Sequence, residues 1–179
     1  MIEDLNPAAR PASALMPAFA QDVLVLGFGA CIVAALLAAL LLWRRGDNRL
    51  LILLGAGAVA AATEGLACLL INCFHSPEGQ YRIYRAFDTD VPLWLGEVYV
   101  LFFGAGAYLM VRQLQRLQQP LAFWLCFATI GLSEGVFEMI TIRLGTHLYY
   151  GAQPWPIAGF PLHLFFVNAT LAIAFATAA

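Results

Sequence analysis

The chain has 179 residues, of which 62% are hydrophobic and 11% charged, and its mean hydropathy is +0.80. Globular domains carry about 25% charged residues, so this composition excludes an ordinary soluble domain and predicts an all-α integral membrane protein. The formal net charge of −2 offers no basic surface for nucleic acid, and we expect no nucleic-acid partner.

The first segment, residues 1–21, is rich in proline and alanine and contains two acidic residues. It lacks a basic start before an apolar run, so we interpret it as a non-membrane or interfacial leader rather than a signal peptide. Residues 22–179 follow as a single transmembrane helical bundle.

Five apolar stretches in this bundle approach the roughly 20 residues that a helix needs to cross about 30 Å of hydrocarbon. Polar or Gly- and Pro-rich segments separate them, so each stretch predicts one transmembrane helix. The predicted helices cover residues 22–43, 50–74, 92–111, 121–142 and 162–179. Five arginines in the two short turns, against four on the other side, favour by a small margin an amino terminus outside the cell.

Four glutamates lie inside these apolar stretches: Glu64, Glu97, Glu134 and Glu138. An ionised carboxylate in hydrocarbon costs roughly 2.5 kcal/mol or more, so acids at such depth normally face the protein interior and carry function. Counting 1.5 Å per residue from the helix ends places all four in the same leaflet. We therefore predict that they line one interior cavity.

Other polar and aromatic residues are expected at the same side of the membrane. His163 and Asn168 lie near the start of the fifth helix, on that side of the membrane, and we expect these two residues to orient a substrate. Two long connections rich in aromatic residues, 75–90 and 143–161, lie on the same side. Aromatic rings there offer electron-rich faces that attract cations. The predicted substrate-binding residues are Asn168, His163, Trp94, Tyr99, Tyr149, Tyr150 and Trp155.

Two short motifs recur at nearly constant offsets. Residues 63–65 (Thr-Glu-Gly) recur 70 positions later as residues 133–135 (Ser-Glu-Gly). Residues 91–95 (Val-Pro-Leu-Trp-Leu) recur 69 positions later as residues 160–164 (Phe-Pro-Leu-His-Leu). We predict that helices two and three form a parallel repeat with helices four and five, related by an axis along the membrane normal.

The chemistry of the acids follows from their spacing. Glu134 and Glu138 are four residues apart and so share one face of a helix. Two neighbouring carboxyl groups in an apolar site resist being ionised together, which leaves one as an acid and the other as a base for proton-initiated chemistry. We predict catalytic roles for Glu138 and Glu134, with Glu64 and Glu97 completing the catalytic cavity.

Simpler interpretations of individual residues stay open at this stage. Trp155 and Tyr149 also suit an interfacial aromatic belt. Glu64 or Glu97, taken singly, also suits a hydrogen bond to a neighbouring helix, and His163 also suits a packing role. The four cysteines have no redox or zinc-knuckle spacing, and we interpret them as small apolar fillers.

A metal site and a haem site are the alternatives to the acid–base interpretation. Di-iron bundles use Glu-x-x-His spacing, and no histidine follows any of the four glutamates at that distance. His75 or His163 is a possible haem ligand, but the sequence has no CxxCH motif. We expect no cofactor and no metal ion.

The stretch from Glu138 to Asn168 resembles the Glu, Gly, Tyr, Gly, Pro, Asn progression of the AveC-like spirocyclases. The matching residues are Glu138, Gly145, Tyr149, Tyr150, Gly151, Pro154, Pro161 and Asn168. More distantly, the chain is similar to membrane carotenoid hydratases and cyclases, and residues 92–97 resemble the Pro and Glu region of the small-subunit lycopene cyclases. The adjacent acid pair of the lycopene-type enzymes is not present, because Gly96 precedes Glu97.

These resemblances imply metal-free acid–base chemistry on a lipophilic polyketide or isoprenoid. We therefore expect a cyclase, isomerase or hydratase (lyase) of a bacterial cytoplasmic membrane, acting on a small terpenoid, carotenoid or polyketide among membrane lipids. Two other classes use similar residues: a proton-coupled transporter, and a non-catalytic lipid-binding or assembly subunit. An enzyme needs a cavity that joins the acids, whereas a structural subunit fills that volume with side chains.

Overall fold

The computed structural model describes residues 7–117 and 120–178. Residues 1–6 of the predicted leader, and residues 118, 119 and 179 of the predicted bundle, lie outside this description. The described chain is mostly helical. Its α-helices are α1 (Ala18–Trp43), α2 (Arg49–Ala60), α3 (Glu64–Ile71), α4 (Leu93–Tyr99), α5 (Ala107–Leu117), α6 (Pro120–Arg143) and α7 (His163–Thr177).

Two of the long helical segments change their winding part of the way along. A 3-10 turn (Ala61–Thr63) joins α2 to α3, and a π-helical segment (Val100–Gly106) joins α4 to α5. Widened π turns are rare and occur often at functional sites.

Four helical segments are long and apolar enough to cross a membrane: Ala18–Trp43, Arg49–Ile71, Leu93–Arg116 and Pro120–Arg143. They correspond to the first four predicted helices. The fifth predicted helix corresponds to α7, an apolar helix whose 15 residues extend about 22 Å at 1.5 Å per residue.

The outer surface of α1 is apolar. Only 11% of its apolar 18-residue stretch is buried inside the protein. Leu26, Val33 and Leu41 are each more than half exposed. Large contiguous apolar surfaces are uncommon on soluble monomers, so this helix suits a hydrocarbon environment.

Short strands stand in the two long connections, a feature that the all-α prediction leaves out. They are β1 (Cys73–His75), β2 (Arg82–Ala86), β3 (Thr89–Pro92), β4 (His147–Tyr149), β5 (Pro156–Ile157) and β6 (Phe160–Pro161). They pair antiparallel as β1 with β4, β2 with β3, and β5 with β6. The first pair joins the two connections to each other and sets His75 opposite His147.

The described part of the leader packs against these connections. The Met16 amide donates to the Glu78 carbonyl over 2.9 Å, and the Gly151 amide donates to the Pro7 carbonyl over 2.8 Å. The Met16 side chain is 1% exposed. Helix α1 begins at Ala18, so the last residues of the predicted leader are already helical.

Candidate functional site

A cavity of about 700 Å³ opens among the helices, with β1 and β4 at one end of it. Most of the side chains that line it are apolar or aromatic, and they come from every helix of the described chain. Glu64, Glu134 and Glu138 also line it. This combination of apolar walls and a few convergent polar groups is typical of small-molecule sites.

Glu64 is the centre of the first polar group in the cavity. Its Oε1 accepts a hydrogen bond from Cys68 Sγ at 3.0 Å and lies 2.9 Å from His75 Nε2. Its Oε2 accepts a hydrogen bond from the Tyr99 hydroxyl at 2.6 Å. Glu64 is 7% exposed, so these partners compensate for the loss of water around the carboxylate.

A left-handed residue brings His75 to Glu64. Helix α3 ends at Ile71, and the next residue, Asn72, has φ of 54° and ψ of 47°, which turn the chain sharply. Asparagine tolerates this conformation better than most residues. The chain then returns as β1, where alternate residues share a face, so Cys73 and His75 lie on one side.

Glu138 is the centre of the second polar group. Its Oε2 lies 2.8 Å from His147 Nε2 and accepts a hydrogen bond from the Tyr149 hydroxyl at 2.9 Å. His147 and Tyr149 alternate along β4 and so face the same way. Thr146 Oγ1 lies 2.8 Å from His147 Nδ1 and fixes the orientation of that ring.

The two polar groups meet through their histidines, whose ring centroids are 5.6 Å apart. Burial lowers the pKa of His75, but the neighbouring Cys68 and Glu64 groups raise it more, and the net pKa is about 10. When His75 is protonated, its Nε2 and Glu64 Oε1 form an ion pair at 2.9 Å.

Burial raises the pKa of Tyr149 well above its usual range. The phenol of Tyr149 therefore stays protonated and acts as a hydrogen-bond donor.

Glu134 has one amide partner. Asn168 Nδ2 of α7 donates to Glu134 Oε1. Glu134 Oε2 is buried and has no hydrogen-bond partner among residues 7–117 and 120–178. Glu134 thus has one oxygen held by α7 and one oxygen without a partner in the described part of the chain.

The structure brings together most of the residues predicted from the sequence. Seven of them line the cavity: Glu138, Glu134, Glu64, Trp94, Tyr99, Tyr149 and Asn168. Four others are not among the described lining residues: Glu97, His163, Tyr150 and Trp155. Trp155 is 76% exposed, as an interfacial aromatic residue would be.

The prediction of one cavity for four acids needs a correction at Glu97. Tyr99 faces Glu64, and a residue two positions earlier on a helix points about 200° away from it. Glu97 accordingly lies beside α1, where its Oε1 is 3.4 Å from the position that a Cβ on Gly29 would take. It is thus separated from the other three acids.

Two residues of the site were missed by the sequence analysis as partners of the acids, namely His75 and His147. They follow Glu64 and Glu138 by 11 and 9 positions, whereas side chains in contact along one helix are three or four positions apart. The available signal is strand alternation, in Cys73-Phe74-His75 and in His147-Leu148-Tyr149, inside the two connections.

Comparison of the chain with protein-family models, with curated proteins and with solved structures gave no match.

Proposed function

We propose that this chain is a membrane-embedded enzyme that cyclises, isomerises or hydrates a lipophilic isoprenoid or polyketide by acid–base chemistry. The observation that carries the proposal is the apolar cavity of about 700 Å³ with three carboxyl groups on its wall. Cavities of roughly 300 to 1,000 Å³ suit small-molecule ligands, and apolar walls suit a lipophilic one.

Glu138 is the proposed proton donor. Among the described residues, its contacts with His147 and Tyr149 both fall on Oε2, which leaves Oε1 for the substrate. Protonation of a substrate double bond or oxygen by the Glu138 acid forms a cationic intermediate and leaves Glu138 as a carboxylate. The rings of Trp94, Tyr99 and Phe137 on the cavity wall stabilise that positive charge.

Glu134 is the proposed base. Its Oε1 is held by Asn168, and its unpartnered Oε2 accepts a proton. Loss of a proton from carbon gives an isomerised or cyclised alkene, whereas addition of water or an internal hydroxyl, with loss of its proton to Glu134, gives a hydrated or cyclised product. Transfer of that proton back to Glu138 completes the cycle.

The proposal includes a two-fold repeat and a fifth membrane crossing by α7. Three matched features support the repeat. The Thr63 and Ser133 hydroxyls each donate to the carbonyl three residues earlier, at 2.7 and 2.9 Å. Pro92 and Pro161 each end a strand just before a helix, and the two connections pair antiparallel through β1 and β4. We place the enzyme in a bacterial cytoplasmic membrane.

The experiment that tests the function begins with lipid extracts from cells with and without the gene, which identify the substrate and the product. Turnover by the purified protein in nanodiscs is then followed in D₂O. The carboxyl proton exchanges with D₂O, so the group delivers deuterium to the substrate. Protonation of a double bond places one deuterium on a product carbon, whereas protonation of an oxygen places it on an exchangeable hydroxyl.

Glu138→Gln should fold and should still bind substrate, but its turnover should fall by roughly 10²-fold or more, the usual scale for losing a general acid or base. Glu134→Gln should also slow turnover. Glu78→Gln, in an exposed connection, is the matched control and should keep wild-type activity. Near-full activity in a folded Glu138→Gln protein would contradict the mechanism, and binding without any turnover would favour a lipid-binding subunit.

A further inference from the structure

Four side chains of metal-ligand type meet beside the cavity: Glu64, Cys68, Cys73 and His75. All four are buried, and the ligand atoms lie within 4.8 Å of one another. We propose that these four side chains bind one Zn²⁺ ion. The proposal does not depend on the proposed function, in which Glu138 and Glu134 carry the proton chemistry.

The distances within the cluster are close to those of a tetrahedral zinc site. Zn–S bonds of about 2.3 Å and Zn–N or Zn–O bonds of about 2.1 Å place tetrahedral ligand atoms about 3.4 to 3.8 Å apart. Here Glu64 Oε1 lies 3.0 Å from Cys68 Sγ and 2.9 Å from His75 Nε2. Cys73 Sγ lies 4.0 Å from His75 Nε2. Small side-chain rotations are enough to adjust these separations.

The sequence builds the cluster from two periodicities. Glu64 and Cys68 are four residues apart on α3 and so share a helix face. Cys73 and His75 are two residues apart on β1 and so share a strand face. The left-handed turn at Asn72 folds the second pair back beside the first.

The surroundings orient the carboxylate for a metal ion. Tyr99 donates to Glu64 Oε2, which leaves Oε1 directed at Cys68 and His75. Outer hydrogen bonds of this kind fix the ligands of metal sites.

The types of ligand atom in the cluster favour zinc over other metal ions. Two thiols, an imidazole and one carboxylate suit zinc, whereas calcium and magnesium prefer oxygen ligands throughout. Four protein ligands close the coordination shell, as in structural sites. The ion would tie α3 to β1 at the edge of the cavity, and Glu64 would serve the metal rather than the substrate. This departs from the sequence-based expectation of no metal.

A second cavity gives the cluster a route to water. It has a volume of about 370 Å³ and lies between the amino-terminal segment and the first connection. Asp88 and Asp90 line it, and so does His75, which also lines the larger cavity. A cation can therefore approach His75 past carboxylates from outside the bundle.

The experiment uses the full chain, expressed with added Zn²⁺ and purified in detergent without chelator. Elemental analysis should find about one zinc ion per chain, as expected for a closed structural site. Exchange for Co²⁺ should give visible bands of a tetrahedral ion and a thiolate-to-cobalt charge-transfer band. Both measurements on the wild-type protein decide the proposal even where a variant does not fold.

Single substitutions assign the ligands. Cys68→Ser and Cys73→Ser should each weaken the charge-transfer band and lower the zinc content several-fold. Cys31→Ser and Cys126→Ser are matched controls outside the cluster and should keep both. Glu138→Gln should keep its zinc while losing turnover, which separates a failure of this proposal from a failure of the proposed function.

Three results would overturn the proposal. The first is wild-type protein that, after loading with Zn²⁺, holds no zinc and gives no charge-transfer band with Co²⁺. The second is a band that persists unchanged in both Cys68→Ser and Cys73→Ser. The third is a Cys68–Cys73 disulfide, found by mass spectrometry in the protein as purified under nitrogen, because that bond removes the thiolates.

Discussion

Two glutamates on the cavity wall are each paired with a histidine that comes from a strand rather than a helix: Glu64, which is buried, and Glu138, which is partly buried. The partners are His75 at 2.9 Å and His147 at 2.8 Å. A buried carboxylate that loses its partner costs about 3 to 5 kcal/mol, so the Glu64 pair makes the position of β1 depend on α3. The Glu138 pair joins β4 to α6 in the same way. The same contacts leave one oxygen of Glu138 toward the cavity.

Tyr149 tests how much of the reactivity of Glu138 depends on that positioning. Tyr149→Phe removes the 2.9 Å hydrogen bond to Glu138 Oε2 and keeps the ring. A hydrogen bond to a charged group contributes about 1.5 to 3 kcal/mol, so turnover should fall about 10- to 100-fold while substrate KM changes little. The measurement is steady-state turnover in nanodiscs, with Tyr81→Phe, an exposed tyrosine, as the control.

An unchanged kcat in Tyr149→Phe would show that His147 alone positions the acid. A large rise in KM with unchanged kcat would instead place the Tyr149 hydroxyl in substrate binding.

For individual residues, the sequence predicts the acids of the site better than it predicts their partners. Glu64, Glu134 and Glu138 stand out because a carboxylate is costly in an apolar helix. Glu97 stands out for the same reason, yet the cost argument does not say which neighbour it faces. His75 and His147 carry no such signal, because they lie in polar connections, where a histidine has no unusual energetic cost.

Among the elements, α2 packs closely against the end of α4 and the π-helical segment that follows it, with one glycine on each side. A Cβ on Gly57 would lie 2.7 Å from the Tyr99 carbonyl oxygen. A Cβ on Gly104 would lie 2.8 Å from the Leu54 Cα. Small residues allow such backbone contact between membrane helices. Gly106 is not part of this contact, because a Cβ there would have only the Leu101 carbonyl oxygen, at 3.5 Å, within 4 Å.

Gly57→Ala should destabilise the protein, because the atoms in its way belong to the backbone rather than to a flexible side chain. Forced packing of this kind costs about 1 to 3 kcal/mol. Gly55→Ala, on the same helix, has nothing within 4 Å of the new methyl group and should be neutral or slightly stabilising. Thermal unfolding in one detergent, followed by tryptophan fluorescence, compares the two variants directly. Equal midpoints for both would argue against close packing at Gly57.

The elements were predictable in proportion to their apolar length. Four helical segments, among them α1 and α6, each contain about 20 mostly apolar residues, and their positions are close to the predicted ranges. The strands were not predicted, because β1 and β4 have three residues each and pair only with a segment far away in sequence. Their stability comes from tertiary contacts that a local pattern does not contain.

The whole molecule has two unlike ends. At one end, β1 pairs with β4 and the amino-terminal segment hydrogen-bonds to both connections, which brings residues 7–17, 72–92 and 144–162 together. The other end carries a short polar turn, in which Asp47 accepts hydrogen bonds from Arg49 and from the Tyr108 hydroxyl. His75 and His147, which line the cavity, therefore lie on the two connections at the first end.

This arrangement makes a prediction about sidedness, because a chain whose long helices cross the membrane must expose its two ends to different compartments. Tyr81 and Trp155 are 63% and 76% exposed at the end that carries the connections. Arg45 is exposed in the turn at the opposite end. Tyr81→Cys and Trp155→Cys should react with a membrane-impermeant maleimide from one side, and Arg45→Cys only from the other.

The labelling uses a Cys31→Ser, Cys126→Ser background, which keeps the buried Cys68 and Cys73 and so leaves their cluster intact. Intact cells and inverted vesicles supply the two sides, and the arginine distribution favours the connections outside the cell. Labelling of Tyr81→Cys and Arg45→Cys from the same side would contradict a spanning bundle. Labelling of Tyr81→Cys and Trp155→Cys from opposite sides would separate the two connections that β1 and β4 join, and the shared cavity could not then exist.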